Sequence, residues 1–173
     1  INYYMGYATT GSGTQFSAQK GLVVGLNDTV YIGNFFTQSG GYGIGAFSLS
    51  KDAILVNQNY LNLIGTSAYF GNTTKKLSNG QIVLGAGYNT SNYPVLSVKN
   101  SNLTDVSTKA FNQYSPAFNT DPNWSAVSID TLDNIYTTAL QTYSCCCGTY
   151  SVITYAKFDS SNNPSYWKYL SNI

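Results

Sequence analysis

Short apolar and aromatic runs recur along the chain, each bounded by clusters of Asn, Asp, Ser, Gly or Thr. Within the runs the side chains alternate. In TVYIG, Val30 and Ile32 fall on one side and Tyr31 on the other. In ITYAKF, Ile153, Tyr155 and Lys157 oppose Thr154, Ala156 and Phe158. A period of two is that of a β-strand, whose successive side chains leave opposite faces. Little Ala or Leu stands in helical phase, which argues against long helices.

The runs also repeat. LNDTVYIG (Leu26–Gly33), SNGQIVLG (Ser78–Gly85) and LDNIYTTA (Leu132–Ala139) each place a polar turn before a strand, with Val30, Ile82 and Ile135 in register. The turn pairs Asn-Asp, Asn-Gly and Asp-Asn suit backbone with positive φ. A second strand follows each: GAFSLSKDAIL, YPVLSVKNSNL and SVITYAKFDSSNN. A third comes from VNQNYLNLI, DVSTKAFN and SYWKYLSNI, and one upstream of each turn from QKGLVVG, GNTTKKL and SAVSID. Each unit is thus predicted to hold four short strands, and Val30, Ile82 and Ile135 are predicted to be buried at equivalent positions.

Repeated four-stranded units of about 40–50 residues are the signature of β-propeller blades. The predicted fold is all-β and β-propeller-like: four-stranded blade repeats, about three blades plus one extra strand. The units are approximately 15–64, 70–112 and 124–173, in one repeat domain or propeller segment spanning 1–173, with INYYMGYA (1–8) as the closing strand of a preceding unit. A β-trefoil, or another all-β barrel or sandwich, is the alternative. VSIDTLDNIYTTA with VITYAKFDSSNNPSYWKYL, then GLVVGLNDTVYIGNF with GAFSLSKDAILVNQNYL, and more weakly LSNGQIVLGAGY with PVLSVKNSNL, resemble the bacterial β-propeller repeats called SBBP repeats. That resemblance implies a scaffold, of the kind found in large bacterial surface proteins and phage virion proteins, with no catalytic residues to transfer. Three blades and a strand leave a propeller open, so the chain is expected to continue into further units or to assemble with other copies.

Composition sharpens this reading. Aromatic residues make up 15% of the chain, with 16 Tyr and 8 Phe, enough apolar surface to fold. Charged residues make up only 9%: every acid is Asp, every base is Lys, and His is absent. With a formal net charge of +1, the chain has no electrostatic footprint for nucleic acid or an anionic membrane. No run approaches the ~20 apolar residues that span a bilayer.

The candidate chemistry is sparse. Cys145, Cys146 and Cys147 are consecutive, whereas a structural zinc site wants four ligands in spaced pairs. They are expected in a loop or strand end, as free thiols without metal; the alternative is that two pair and the odd one bonds to another chain or to another part of the protein. GGYGIG (Gly40–Gly45) superficially resembles a nucleotide-binding loop, but no helix pattern follows it, so it is expected to be a flexible loop. Asp130 and Asp133, and the stretch Asp159 to Asn163, are acidic turns that Asx capping explains better than calcium. Glycosylation sequons stand at Asn27, Asn72, Asn89, Asn102 and Asn123. With no His, Glu or Arg, no acid–base arrangement emerges and catalysis is not expected. No catalytic, cofactor-binding or metal-ligating residue is assigned.

The expected function is therefore a non-catalytic structural or interaction module of a virion (phage capsid surface or tail) or of an extracellular cell-surface assembly. Its expected partners are copies of itself or other subunits, and a host-surface glycan or protein. The alternatives are a carbohydrate-binding module and a non-catalytic segment of a larger enzyme. Trp124 and Trp167 do not occupy equivalent repeat positions, which weakens the carbohydrate reading.

Overall fold

The computed structural model describes residues 22–38, 41–63, 73–88, 93–110, 123–145 and 148–171. They form three four-stranded antiparallel sheets, each a meander in chain order. The first holds β1 (Leu22–Val24), β2 (Val30–Gln38), β3 (Gly41–Leu49) and β4 (Leu55–Leu63). The second holds β5 (Thr73–Lys76), β6 (Ile82–Tyr88), β7 (Tyr93–Lys99) and β8 (Asp105–Ala110). The third holds β9 (Asn123–Ile129), β10 (Ile135–Cys145), β11 (Gly148–Phe158) and β12 (Pro164–Ser171). The segment 1–8, expected as a closing strand, lies outside the described residues.

Val30, Ile82 and Ile135 open β2, β6 and β10, so the repeat register read from the sequence holds. The ladders agree position by position: Val30 pairs Leu49, Ile82 pairs Lys99, and Ile135 pairs Phe158. Each sheet also carries a register shift at one equivalent place, after Ser48, after Val98 and after Lys157. A bulge increases local twist, and its recurrence gives the three sheets the same bend where the third strand meets the fourth.

The turns at this end of the sheets share one hydrogen-bond frame. In Leu77–Gln81, Asp130–Asn134, Ser50–Ile54, Asn100–Thr104 and Asp159–Asn163, the first N–H donates to the fifth carbonyl and the fourth N–H to the first. This frame needs positive φ at its fourth residue, supplied by Gly80, Asp133, Ala53, Leu103 and Asn162. Gly25–Thr29 departs from it, with positive φ at both Asn27 and Asp28 and with Thr29 donating to Leu26. Ala53 gains nothing at φ 62 that Gly would not supply more cheaply. Ala53→Gly is expected to raise stability by about 0.5–1 kcal/mol, after the entropy cost of glycine in the unfolded chain. Thermal melting checks this, and a lower melting temperature would mean that the Ala53 methyl is a packing contact.

The core lies between sheets. Ile82, Leu84 and Val95 of the second sheet, with Leu103, pack against Tyr31 and Ala46 of the first. On the other face, Val83, Leu96 and Val98, with Leu77, pack against Val127, Ile135, Ala156 and Phe158 of the third. The second sheet carries core residues on both faces and is covered on both. Strand β5 approaches β1 and β2 on one side and β9 on the other, so the inner edges of the sheets draw together. Ile82 and Ile135 are fully buried, as predicted, but Val30 is only half-buried. Its face of the first sheet has no sheet beside it among the described residues.

One expectation needs correction. Gly41, Gly43 and Gly45 are not a flexible loop: they sit in β3, paired with Gln38, Phe36 and Asn34. Backbone ladder bonds need no side chain, and the flanking Ile44 and Tyr42 carry the strand pattern. Gly40 lies outside the described residues. At the thiols, β10 and β11 run on to pair Cys145 with Gly148. Cys145 therefore ends a strand, as expected, while Cys146 and Cys147 lie outside the described residues.

Candidate functional site: two open sheet faces

Among the described residues, the alternation that builds the core leaves two faces that no other sheet covers. On the first sheet, Leu22 and Val24 of β1 are 61% and 52% exposed, and the neighbouring Val30, Ile32, Phe47 and Leu55 are half-buried. This surface is apolar because its counterparts in the other two sheets are buried: Ile82 and Leu84, and Ile135 and Thr137, hold the positions of Val30 and Ile32. On the third sheet the outer face is aromatic and basic. Tyr136 and Tyr155 rings lie 6.3 Å apart, and Tyr155 meets Tyr166 edge-on at 5.9 Å. Lys157 stands over the Tyr136 ring and Lys168 over that of Tyr166, at 5.4 and 5.6 Å. Hydrogen bonding to Tyr166 and the charge interaction with it hold the Lys168 ammonium above its ordinary pKa.

Polar ties stitch neighbouring sheets, and most end on backbone oxygens. Tyr31 Oη donates to the carbonyl of Ser101, Asn59 Nδ2 to that of Leu103, and Lys109 Nζ to that of Asn162. Asn162 Nδ2 returns a bond to the Leu96 carbonyl, and Lys76 Nζ donates to the Val24 carbonyl. Burial of the Tyr31 phenol raises its pKa. Gly33 lets the sheets approach closely: its N–H donates to Thr74 Oγ1 at 3.0 Å, and a Cβ there would collide with Thr74 and Leu84.

The acidic turns are filled by their own turns and neighbours. Asp130 Oδ1 accepts from the N–H groups of Leu132 and Asn134, and Oδ2 accepts from Asn134 Nδ2 and Tyr136 Oη. Asp133 turns away to the Ser78 N–H and hydroxyl on the second sheet. Asp159 accepts from Ser161 and Asn163. Among the described residues, no group of three or more His, Cys, Asp or Glu side chains gathers as metal ligands would.

These bonds set the acid response. The side-chain bond from Asn134, helped by the other donors, lowers Asp130 from 3.8 to about 2 against a smaller opposing effect of burial. At Asp159, burial pushes the carboxyl up, but the bonds from Asn163 and Ser161 and the Lys109 charge together outweigh it, so its pKa is lowered. A depressed carboxyl stabilises the fold above its unfolded pKa and loses that contribution as pH falls through the folded value. Melting temperature is therefore expected to drop between about pH 4 and pH 2, and Asp130→Asn to flatten the drop while melting lower at neutral pH. An unchanged pH profile in the variant would contradict the role of this carboxylate.

A second polar cluster faces the first sheet. Lys99 Nζ, with its side chain only 1% exposed, donates to Asp105 Oδ1 at 2.6 Å. Thr108 Oγ1 donates to the same oxygen and shares a 2.7 Å bond with Ser97 Oγ. The lysine is turned to the aspartate and the serine to the threonine, so Lys99 is not placed to take a proton from Ser97. Sequence reasoning missed this tie, because Lys99 stands where the other units have Leu49 and Phe158. The signal was available: a lysine inside the alternating run YPVLSVK, six residues before an aspartate.

Among the sequons, Asn27 and Asn102 are exposed in turns and Asn123 begins β9, while Asn72 and Asn89 lie outside the described residues. Trp124 sits on β9 and Trp167 on β12, so they do not occupy equivalent positions. No helix among the described residues is long and apolar enough to cross a membrane. No protein-family profile matches the chain, and no curated protein matches it either.

Proposed function

We infer that this protein is a non-catalytic structural and interaction module, a blade-repeat segment of a virion or cell-surface assembly that works by presenting sheet faces and loops to neighbouring subunits. The observation that carries this reading is the pair of open outer faces, one apolar and one tyrosine-rich, on a stack whose inner faces are covered. Contiguous apolar surface rimmed by polar residues is what subunit contacts are made of. The SBBP-like blade pattern and the Asn, Ser, Thr and Tyr surface favour the same role. Closure into a propeller with further blades belongs to this proposal. Immunogold labelling with antibody to this chain tests it: label on the outside of intact particles or cells is expected. Label confined to the cell interior, with none on particles, would overturn it.

A second reading rests on one feature, the Tyr136, Tyr155 and Tyr166 surface. Aromatic faces stack on sugar rings, and tyrosine offers both a rigid plane and a hydroxyl. A glycan array read at micromolar affinity separates this reading from the first. Binding that disappears in Tyr155→Ala and Tyr166→Ala would make the protein a carbohydrate-binding module.

A further inference from the structure

Each outer face matches one side of the joint that the molecule builds twice between its own sheets. Asn59, Lys109 and Lys168 hold one equivalent position, opposite Ala46, Leu96 and Tyr155. Asn59 donates to the carbonyl of Leu103 at 2.8 Å, and Lys109 to that of Asn162 at 3.0 Å. Leu103 and Asn162 are themselves equivalent, as the positive-φ residues of the turns before β8 and β12. In the first sheet the matching acceptor is the carbonyl of Ala53, at φ 62, and in the third sheet the matching donor is the exposed Lys168.

A second tie occurs at one of the two internal joints, that between the second and third sheets. The N–H and hydroxyl of Ser78, second in its turn, donate to Asp133, fourth in the next unit's turn. The equivalents left over are Thr131 on the third sheet and Asp28 on the first, both exposed. Asp28 shares the left-handed backbone of Asp133, with φ 56 against 61. Donors thus remain on one outer face and their acceptors on the other. The apolar parts match as well, since Leu22 and Val24 stand where Val127 and Ile129 cover the second sheet.

We propose that the third sheet of one copy of this chain seats on the first sheet of a second copy, head to tail, with Lys168 donating to the Ala53 carbonyl and Thr131 to the Asp28 carboxylate. This rests on the interaction-module reading and names its partner. The surfaces differ, so the contact is heterologous and either closes into a ring or propagates. One position sets its closeness. Gly33 admits the next sheet, and Gly85 occupies the same place in the second sheet, but the third sheet has Thr138 there. The joint between copies is therefore held more open than the internal ones, and Thr138→Gly is expected to tighten it.

Sedimentation and light scattering of the full chain test the proposal, with circular-dichroism melts to confirm that each variant folds. The chain at about 100 µM is expected to run well above its 18.8 kDa monomer mass. Leu22→Lys with Val24→Lys blocks the first-sheet face, and Ile153→Asp with Lys168→Asp blocks the third-sheet face. Each variant alone is expected to be a monomer, and their mixture a 1:1 complex, because each retains the half the other lost. Asp28→Lys and Lys168→Asp, which alter only exposed turn or edge side chains, serve as a second pair if the first fold poorly. A monomeric wild-type chain, association that persists in either blocked variant, or folded variants that fail to complement would overturn the proposal. So would weaker association of Thr138→Gly, or a monomer whose tyrosine face instead binds glycan. Surface labelling is independent of all these results, so failure of the joint and failure of the module reading remain distinguishable.

Discussion

Phe158→Ala is expected to cost about 3–5 kcal/mol, the largest loss from any single truncation among the described residues. Phe158 is 0% exposed and meets Trp167 edge-on, with ring centroids 6.3 Å apart. It closes the core between the second and third sheets with Leu77, Val83, Leu96 and Val98. Removing it leaves a cavity that strands in two different sheets line, and neither sheet can collapse alone without breaking its ladder. For a chain of this size each kcal/mol moves the melting temperature by roughly 2–4 °C, so a fall of about 10 °C is expected. Such a loss is a large share of the ~5–15 kcal/mol that holds a domain together. If the fall is only a degree or two, the third sheet does not depend on this joint and the stack is not one cooperative unit.

The second large effect concerns Lys99 and Asp105, and it is asymmetric. Asp105→Ala is expected to cost roughly 3 kcal/mol, because it strands a buried ammonium without its counter-charge. Asp105 is 47% exposed on its side chain, which keeps the figure at the low end. Lys99→Leu is expected to be within about 1 kcal/mol of neutral, or stabilising, because it removes the charge together with its desolvation cost. Leu49 holds this position in the first sheet, so a leucine fits the repeat. The double variant should resemble Lys99→Leu alone. Urea unfolding at neutral pH measures all three, and equal losses from the two single changes would mean that the pair contributes more than the charge it neutralises.

The strands were legible in the sequence because two signals agreed on them. Alternation placed Thr154, Ala156 and Phe158 on one face of β11, and the turn pairs at Asn27, Asn79 and Asp133 marked where β2, β6 and β10 begin. Burial was less legible, since alternation says which residues share a face and not whether another sheet covers it. Val30 and Ile135 carry the same local pattern, yet one is half-buried and the other fully so. Turn chemistry was only partly visible: Gly80 announces its positive φ, but Leu103 at φ 67 does not. Leucine accepts that backbone because its side chain is 1% exposed within the core. Apolar burial there outweighs a conformational cost of about 1–2 kcal/mol. The glycines of β3 misled for the opposite reason, their strand being held by backbone bonds that composition does not report.

The ties between sheets have a consequence for how such a chain changes over generations. Tyr31, Asn59, Lys76, Lys109 and Asn162 all reach for carbonyl oxygens, at Ser101, Leu103, Val24, Asn162 and Leu96. Every residue brings a carbonyl, so substitution at the accepting position leaves the bond intact while the backbone frame persists. In these five bonds only the donor is under constraint, and amide, ammonium and phenol all serve. Units can therefore drift far apart in sequence, or be duplicated and exchanged whole, and still stack on a neighbour that never shared their side chains.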